Sequence, residues 1–161
     1  MRSGRGATRE AGVAASLVNQ VPFHRSLTMA RDKGREGKSH LKTCLVVDDS
    51  RVVRKVARRL LEDLGFAVAE AADGQEALAW CRAMMPDVVL IEPALPTMSG
   101  LDFLRRLRLE PGGRLPKVIF CSGQSDLDRI RQALDAGAAE YVIKPFDSEI
   151  VAGKLALAGV A

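Results

Sequence analysis

Four groups of polar residues stand where a short apolar run has just ended. They are Asp48-Asp49 after Thr43–Val47, Glu92 after Val88–Ile91, Ser122 after Lys117–Cys121, and Lys144-Pro145 after Tyr141–Ile143. Three carboxylates brought together repel one another unless a cation sits among them. Oxygen ligands of this kind, carboxylates joined by a main-chain carbonyl, are what Mg²⁺ prefers, with water filling out its octahedron. A lysine and a hydroxyl nearby can hold the remaining oxygens of a phosphoryl group. Together these groups suit the placing of a tetrahedral anion beside a metal.

Each group also has a plainer reading. An Asp-Asp pair after a strand is often a turn and a helix cap. Ser122 alone reads as a loop hydroxyl, and a single lysine at a strand end as a surface charge. Lys144-Pro145 says more, because the proline can fix a turn and, if cis, aim the lysine inward. What decides is the joint occurrence at four strand ends, in order and on one edge.

The elements between these groups supply that edge. Ser50 to Leu64 has helical spacing, with Val53, Val56, Leu60 and Leu64 on one face and Arg54, Arg58 and Glu62 off it. Ser50 is placed to cap its start and Gly65 to close its end. Phe66–Ala71 reads as a strand, Asp73-Gly74 as a turn, and Gln75–Met85 as a helix with Ala77, Leu78 and Cys81 inward. Val88–Ile91 is apolar on both sides, as the centre of a covered parallel sheet requires. The loop Pro93–Gly100 leads into a helix over 101–109, and Pro111-Gly-Gly precedes strand 117–121. A helix over 125–136, a strand over 141–143 and a helix over 147–158 complete the pattern. Strands alternating with helices over residues 43–161 predict an α/β fold, a doubly wound parallel sheet. Right-handed crossovers send all strand carboxyl ends to one edge, where such sheets bind ligands.

Charge divides the chain. Residues 1–42 hold nine Lys/Arg against three Asp/Glu, a net of +6; residues 43–161 hold fifteen against seventeen, a net of −2. The first part therefore reads as a basic, disordered extension or an over-long start, with Met29 as an alternative initiator. With Phe23 its single aromatic and no ordered reading element, it offers phosphate contacts but little base recognition, so nucleic acid is not an expected partner. No stretch approaches the ~18 apolar residues of a membrane helix. Cys44, Cys81 and Cys121 are far apart and odd in number, which fits reduced thiols and a cytoplasmic setting. A glycine-rich phosphate loop is absent, and both histidines, His24 and His40, lie in the extension. Nucleotide hydrolysis and histidine-based catalysis lose their support, and no enzyme is expected.

The runs Leu45-Val-Val-Asp48-Asp49-Ser50, Asp87-Val-Val-Leu-Ile-Glu92-Pro-Ala-Leu-Pro96-Thr-Met98-Ser-Gly100, Cys121-Ser122-Gly123 and Ala136-Gly137-Ala138 through Tyr141-Val-Ile-Lys144-Pro145-Phe146 resemble the receiver domains of response regulators, the CheY-like family. The resemblance covers 43–161 almost end to end. It implies a flavodoxin-like (βα)5 fold with strand order 2-1-3-4-5, in bacterial two-component signalling. It implies Mg²⁺ held by Asp48, Asp49, the acceptor position Glu92 and the main-chain carbonyl of Ala94. Ser122 is then the switch hydroxyl, Tyr141 its aromatic rotamer partner, and Lys144, followed by Pro145, the phosphate-binding lysine. A histidine kinase or histidine phosphotransferase is the implied donor. A downstream protein is expected on the face of helix 4, strand 5 and helix 5 (Asp126 to Leu157). The sequence ends with the last helix, so a single-domain regulator that acts by binding is expected.

Counting back from Met98 and Gly100, the family's phosphoaccepting aspartate is replaced by Glu92. One extra methylene carries the carboxylate roughly an ångström further into the site. Its charge imitates an aspartyl phosphate imperfectly, with one unit against nearly two and no tetrahedral oxygens. Three outcomes are open: a phosphorylation-independent receiver biased toward the active-like state, a conventional switch phosphorylated on Glu92, or a degenerate receiver kept as a binding scaffold. In the plainest case Glu92 pairs with Lys144 and merely ties two strand ends together. Retention of Asp48, Asp49, Ser122, Tyr141 and Lys144 argues against complete degeneration.

Overall fold

The strands are apolar on both faces because both faces are covered. In the computed structural model, which describes residues 41–123 and 127–160, β1 (Thr43–Val47), β2 (Ala67–Ala71), β3 (Val88–Ile91), β4 (Lys117–Ser122) and β5 (Glu140–Ile143) form one sheet. All pairings are parallel, in the order β2-β1-β3-β4-β5. Helices α1 (Arg51–Asp63), α2 (Gly74–Ala83), α3 (Gly100–Leu109), α4 (Leu127–Asp135) and α5 (Ser148–Leu157) alternate with them. The flavodoxin-like expectation and its strand order hold.

Alternation along each strand divides the core into two layers. Leu45, Val47, Val89, Ile91, Val118, Phe120 and Tyr141 meet Leu78, Trp80 and Cys81 of α2, Phe103, Leu104 and Leu107 of α3, and Ala133 of α4. Cys44, Val46, Val88, Leu90, Ile119, Cys121 and Val142 meet Ala57 and Leu61 of α1 and Val151 and Leu155 of α5. All three thiols are free and buried, two in the second layer and Cys81 in the first.

The cap expected at Ser50 is formed, and three further helices start in the same way. Ser50, Asp73, Ser99 and Asp147 each accept a hydrogen bond from a backbone N–H three residues on. Gly65 adopts φ 94° after α1, where a side chain would be strained. Gly100 sits under the Glu92 loop: a Cβ there would lie 2.7 Å from the Phe120 ring and 2.9 Å from Pro93 Cα.

Several boundaries and one face differ from expectation. Helix α1 buries Ala57 and Leu61, whereas Val56 is 50% exposed and Leu64 38%. The buried stripe is turned by about one residue, because Arg54 and Arg58 lean over the sheet edge to reach Glu70. Helix α2 stops at Ala83, before the expected Met85. The ends of α4 and α5 and the starts of β2 and β5 each move by a residue. The first residues expected in the fourth helix, Ser125 and Asp126, and residues 1–40 of the extension 1–42 lie outside the described residues.

Candidate functional site

Backbone hydrogen bonds carry the strand ladders one step past their ends and so set the site residues. The Asp48 N–H donates to Ala71 O at 3.1 Å, Glu92 N–H to Val47 O at 2.9 Å, and Lys144 N–H to Ser122 O at 2.8 Å. Three polar side chains thus start from fixed points on one edge of the sheet, at β1, β3 and β5. The bond between Lys144 and Pro145 is cis.

The Lys144 ammonium lies between two carboxylates. Its Nζ donates to Asp48 Oδ2 at 2.6 Å and to Glu92 Oε2 at 2.7 Å. The Asp48 and Glu92 side chains are only 5% and 11% exposed, and Lys144 is 20% exposed. The second oxygen of each carboxylate also has a donor: Ser50 N–H serves Asp48 Oδ1 at 2.9 Å, and Ala94 N–H serves Glu92 Oε1 at 3.0 Å. The glutamate's extra methylene is used to fold its head back onto its own loop while keeping the lysine.

Burial opposes the Lys144 charge, but the hydrogen bonds and charges of Asp48 and Glu92 outweigh it, holding the ammonium above the usual lysine value of 10.5. Beneath it, burial pushes the Cys121 thiol up to about 12, with Lys144 pulling the other way. The clamp is thus a largely buried ion triad in which all four carboxylate oxygens accept a hydrogen bond and the lysine keeps one side toward solvent.

A further residue was not foreseen. The Arg54 guanidinium donates to the main-chain carbonyl of Asp48 at 2.7 Å and pairs with Glu70 at 3.4 Å. Arg58 holds the other Glu70 oxygen at 2.9 Å. Arg54 lies one helical turn after the capping Ser50, a spacing that aims it back at the acidic loop. It was read only as the polar side of α1.

The remaining expected residues are placed as follows. Ser122 is buried at the end of β4, and Tyr141 is buried in β5 within the first core layer. Asp49 is exposed beside the clamp, and Ala94 is exposed in the loop after β3. Among the described residues, no three His, Cys, Asp or Glu side chains gather closely enough to hold a metal ion. The oxygen donors of Asp48, Asp49, Glu92 and the Ala94 carbonyl are of the kind that would hold Mg²⁺, and in this structure Asp48 and Glu92 hold the Lys144 ammonium between them.

Comparisons with known proteins agree with the fold. A family model for the response regulator receiver domain matches residues 44–155. The response regulator MprA of Mycolicibacterium vanbaalenii is 41% identical over 105 residues, covering 65% of this chain and 45% of MprA. The chemotaxis protein CheY of Pseudomonas aeruginosa is 34% identical over 112 residues, covering 69% of this chain and 90% of CheY. Among solved structures, the chemotaxis response regulator CheY4 of Vibrio cholerae superposes with a TM-score of 0.69 at 27% identity, over 73% of this chain and 98% of that one. The chain spans about half the length of several curated relatives that it matches, MprA among them. No helix among the described residues is long and apolar enough to cross a membrane.

Proposed function

The chain belongs to the response regulator receiver domain family, and on that premise we propose that it is a phosphorylation-independent receiver. Glu92 stands in the acceptor position as a fixed negative charge. The observation that carries this reading is the pair of contacts made by its carboxylate, Lys144 Nζ at 2.7 Å and Ala94 N–H at 3.0 Å. A lysine and a backbone amide are the kind of donors a phosphoryl oxygen would take, and here they are already held by a carboxylate. In-line attack on a phosphodonor needs an oxygen placed to within a fraction of an ångström, and the longer glutamate, with both oxygens already accepting a hydrogen bond, is less suited to it than an aspartate. The buried ring of Tyr141 and the buried hydroxyl of Ser122 accord with one settled arrangement of the switch pair.

The retained Asp48, Asp49 and Ala94 carbonyl are the donors the family uses for Mg²⁺. In this reading Lys144 neutralises the resting site, and no step requires the metal. Receiver domains of this family interact with histidine kinases or phosphotransferases and with downstream proteins. The proposed docking face is α4, β5 and α5, on which Leu134, Ile143 and Ile150 are each more than 40% exposed and Leu127 and Leu157 are 72% exposed. Action is by protein–protein binding in the cytoplasm, with control by abundance, by partner binding or by the basic extension 1–42.

The test is incubation with Mg²⁺ and a small acyl-phosphate donor, followed by intact mass measurement, for the native protein, Glu92→Asp and Glu92→Gln. A phosphoryl group gained by Glu92→Asp alone is the expected result. Phosphorylation of the native protein but not of Glu92→Gln would replace this reading with a conventional switch on glutamate. If none of the three reacts, the protein is a binding scaffold without a phosphate site.

A further inference from the structure

The opposite edge of the sheet carries a second charged site. Where α3 ends, the loop to β4 and the turn after α4 border an open cleft of about 470 Å³ lined by Arg108, Arg114 and Lys117, with proline, alanine and glycine between them. No carboxylate lines it. This is notable in a region, 43–161, whose net charge is −2, so the basicity of the cleft is segregated rather than inherited.

The three cations are held differently. Arg108 is half-buried and donates to Gly113 O and Pro116 O at 2.8 Å each and to Gly137 O at 3.3 Å. Its charge is met by carbonyl dipoles alone, and burial lowers its pKa from the usual arginine value. These contacts explain Arg108 as a tie between two loops. They do not explain Arg114 and Lys117, which are exposed and form no ion pair among the described residues. Three like charges around one concavity repel one another, and an anion relieves that repulsion.

We infer that this cleft binds a small ligand bearing a di- or triphosphate chain. The planar guanidinium of Arg114 can match phosphate oxygens in pairs, while Lys117 serves as a point charge and Arg108 adds its charge from the wall. A cleft of about 470 Å³, open to solvent on one side, lies within the size range of small-molecule sites. The site is remote from Glu92 and does not depend on how that residue is read.

The probes are inorganic triphosphate and ADP, titrated into ¹⁵N-labelled full-length protein at low salt and followed by amide shifts. Saturable shifts at Gly113, Lys117, Gly137 and Ala139 are expected. Arg114→Ala/Lys117→Ala should weaken binding about tenfold or more, the loss of charged hydrogen bonds. Arg51→Ala/Lys55→Ala removes as many charges from α1 and should bind as the native protein does. Shifts confined to residues 1–42 or to the Lys144 site, unchanged affinity in the Arg114→Ala/Lys117→Ala protein, or no saturable shift would each overturn the proposal. Within a positive result, tighter binding of ADP assigns a nucleotide, and equal binding a bare phosphate chain.

Discussion

At the carboxyl edge of the sheet two acidic side chains close on one lysine, whereas at the amino edge three basic side chains line a cleft, and only Arg108 among them is met by carbonyl oxygens. The first site has all four carboxylate oxygens matched to donors within the chain. The second leaves charge uncompensated. Largely buried, matched charges resist change, because separating them leaves one buried without a partner. Unmatched charges at a surface cleft cost little while water reaches them, and they are available to a ligand. The edge with the family's signalling chemistry is therefore the closed one, and the edge without a named role is open.

The largest effect is expected at the amino edge. A Cβ at Gly113 would stand 1.7 Å from Leu107 O, a main-chain atom that cannot turn aside. Gly113→Ala should cost about 3 kcal/mol or more, read as a fall in the urea midpoint. A cost below about 1 kcal/mol would mean that the loop holding Arg108 is not rigid, and that the cleft is not a formed site. Next comes the clamp itself. Lys144→Ala strands Asp48 and Glu92 together and should cost about 2 kcal/mol, less than a fully buried pair because the lysine is partly exposed. Adding Glu92→Gln to Lys144→Ala should recover part of that loss in a double-mutant cycle. No recovery would show that the two carboxylates do not feel one another.

The smallest effect separates the edges by pH. The folded-state pKa of Lys144 is raised above its usual 10.5, so its contribution is complete below that value and is lost as pH rises through the raised one. Urea midpoints compared between pH 9 and strongly alkaline conditions should fall for the native protein and fall less for Glu92→Gln. An equal fall in both would assign the alkaline loss to other groups.

Much of the carboxyl edge was legible in the sequence, because parallel strands must deliver Asp48, Glu92, Ser122 and Lys144 to one side once the βα alternation is seen. The family resemblance supplied the strand order and the roles. What Glu92 does with its extra methylene was not legible: turning to Ala94 N–H while keeping Lys144 depends on ångström-scale placement that no pattern encodes. The ion pair to Lys144, foreseen as the plainest use of Glu92, is formed, but as one arm of a triad that includes Asp48. The face of α1 was misread because valine outranks alanine in any periodicity count. Packing room at the sheet instead favoured Ala57, while Arg54 and Arg58 found a partner in Glu70, distant in sequence. The amino-edge cleft left no trace, since Arg108, Arg114 and Lys117 follow no period and Gly137 joins them from another turn.

The buried cysteines give the molecule an internal clock. Burial pushes Cys44, Cys81 and Cys121 each up to about 12, so at neutral pH almost none is thiolate, the species that alkylating reagents attack. Labelling therefore waits for the chain around each sulfur to open. Cys81 keeps time for the layer under α2 and α3, and Cys44 and Cys121 for the layer under α1 and α5. Peptide-resolved alkylation rates would then read whether the two halves of the core come apart as one unit or separately, with no probe added to the protein.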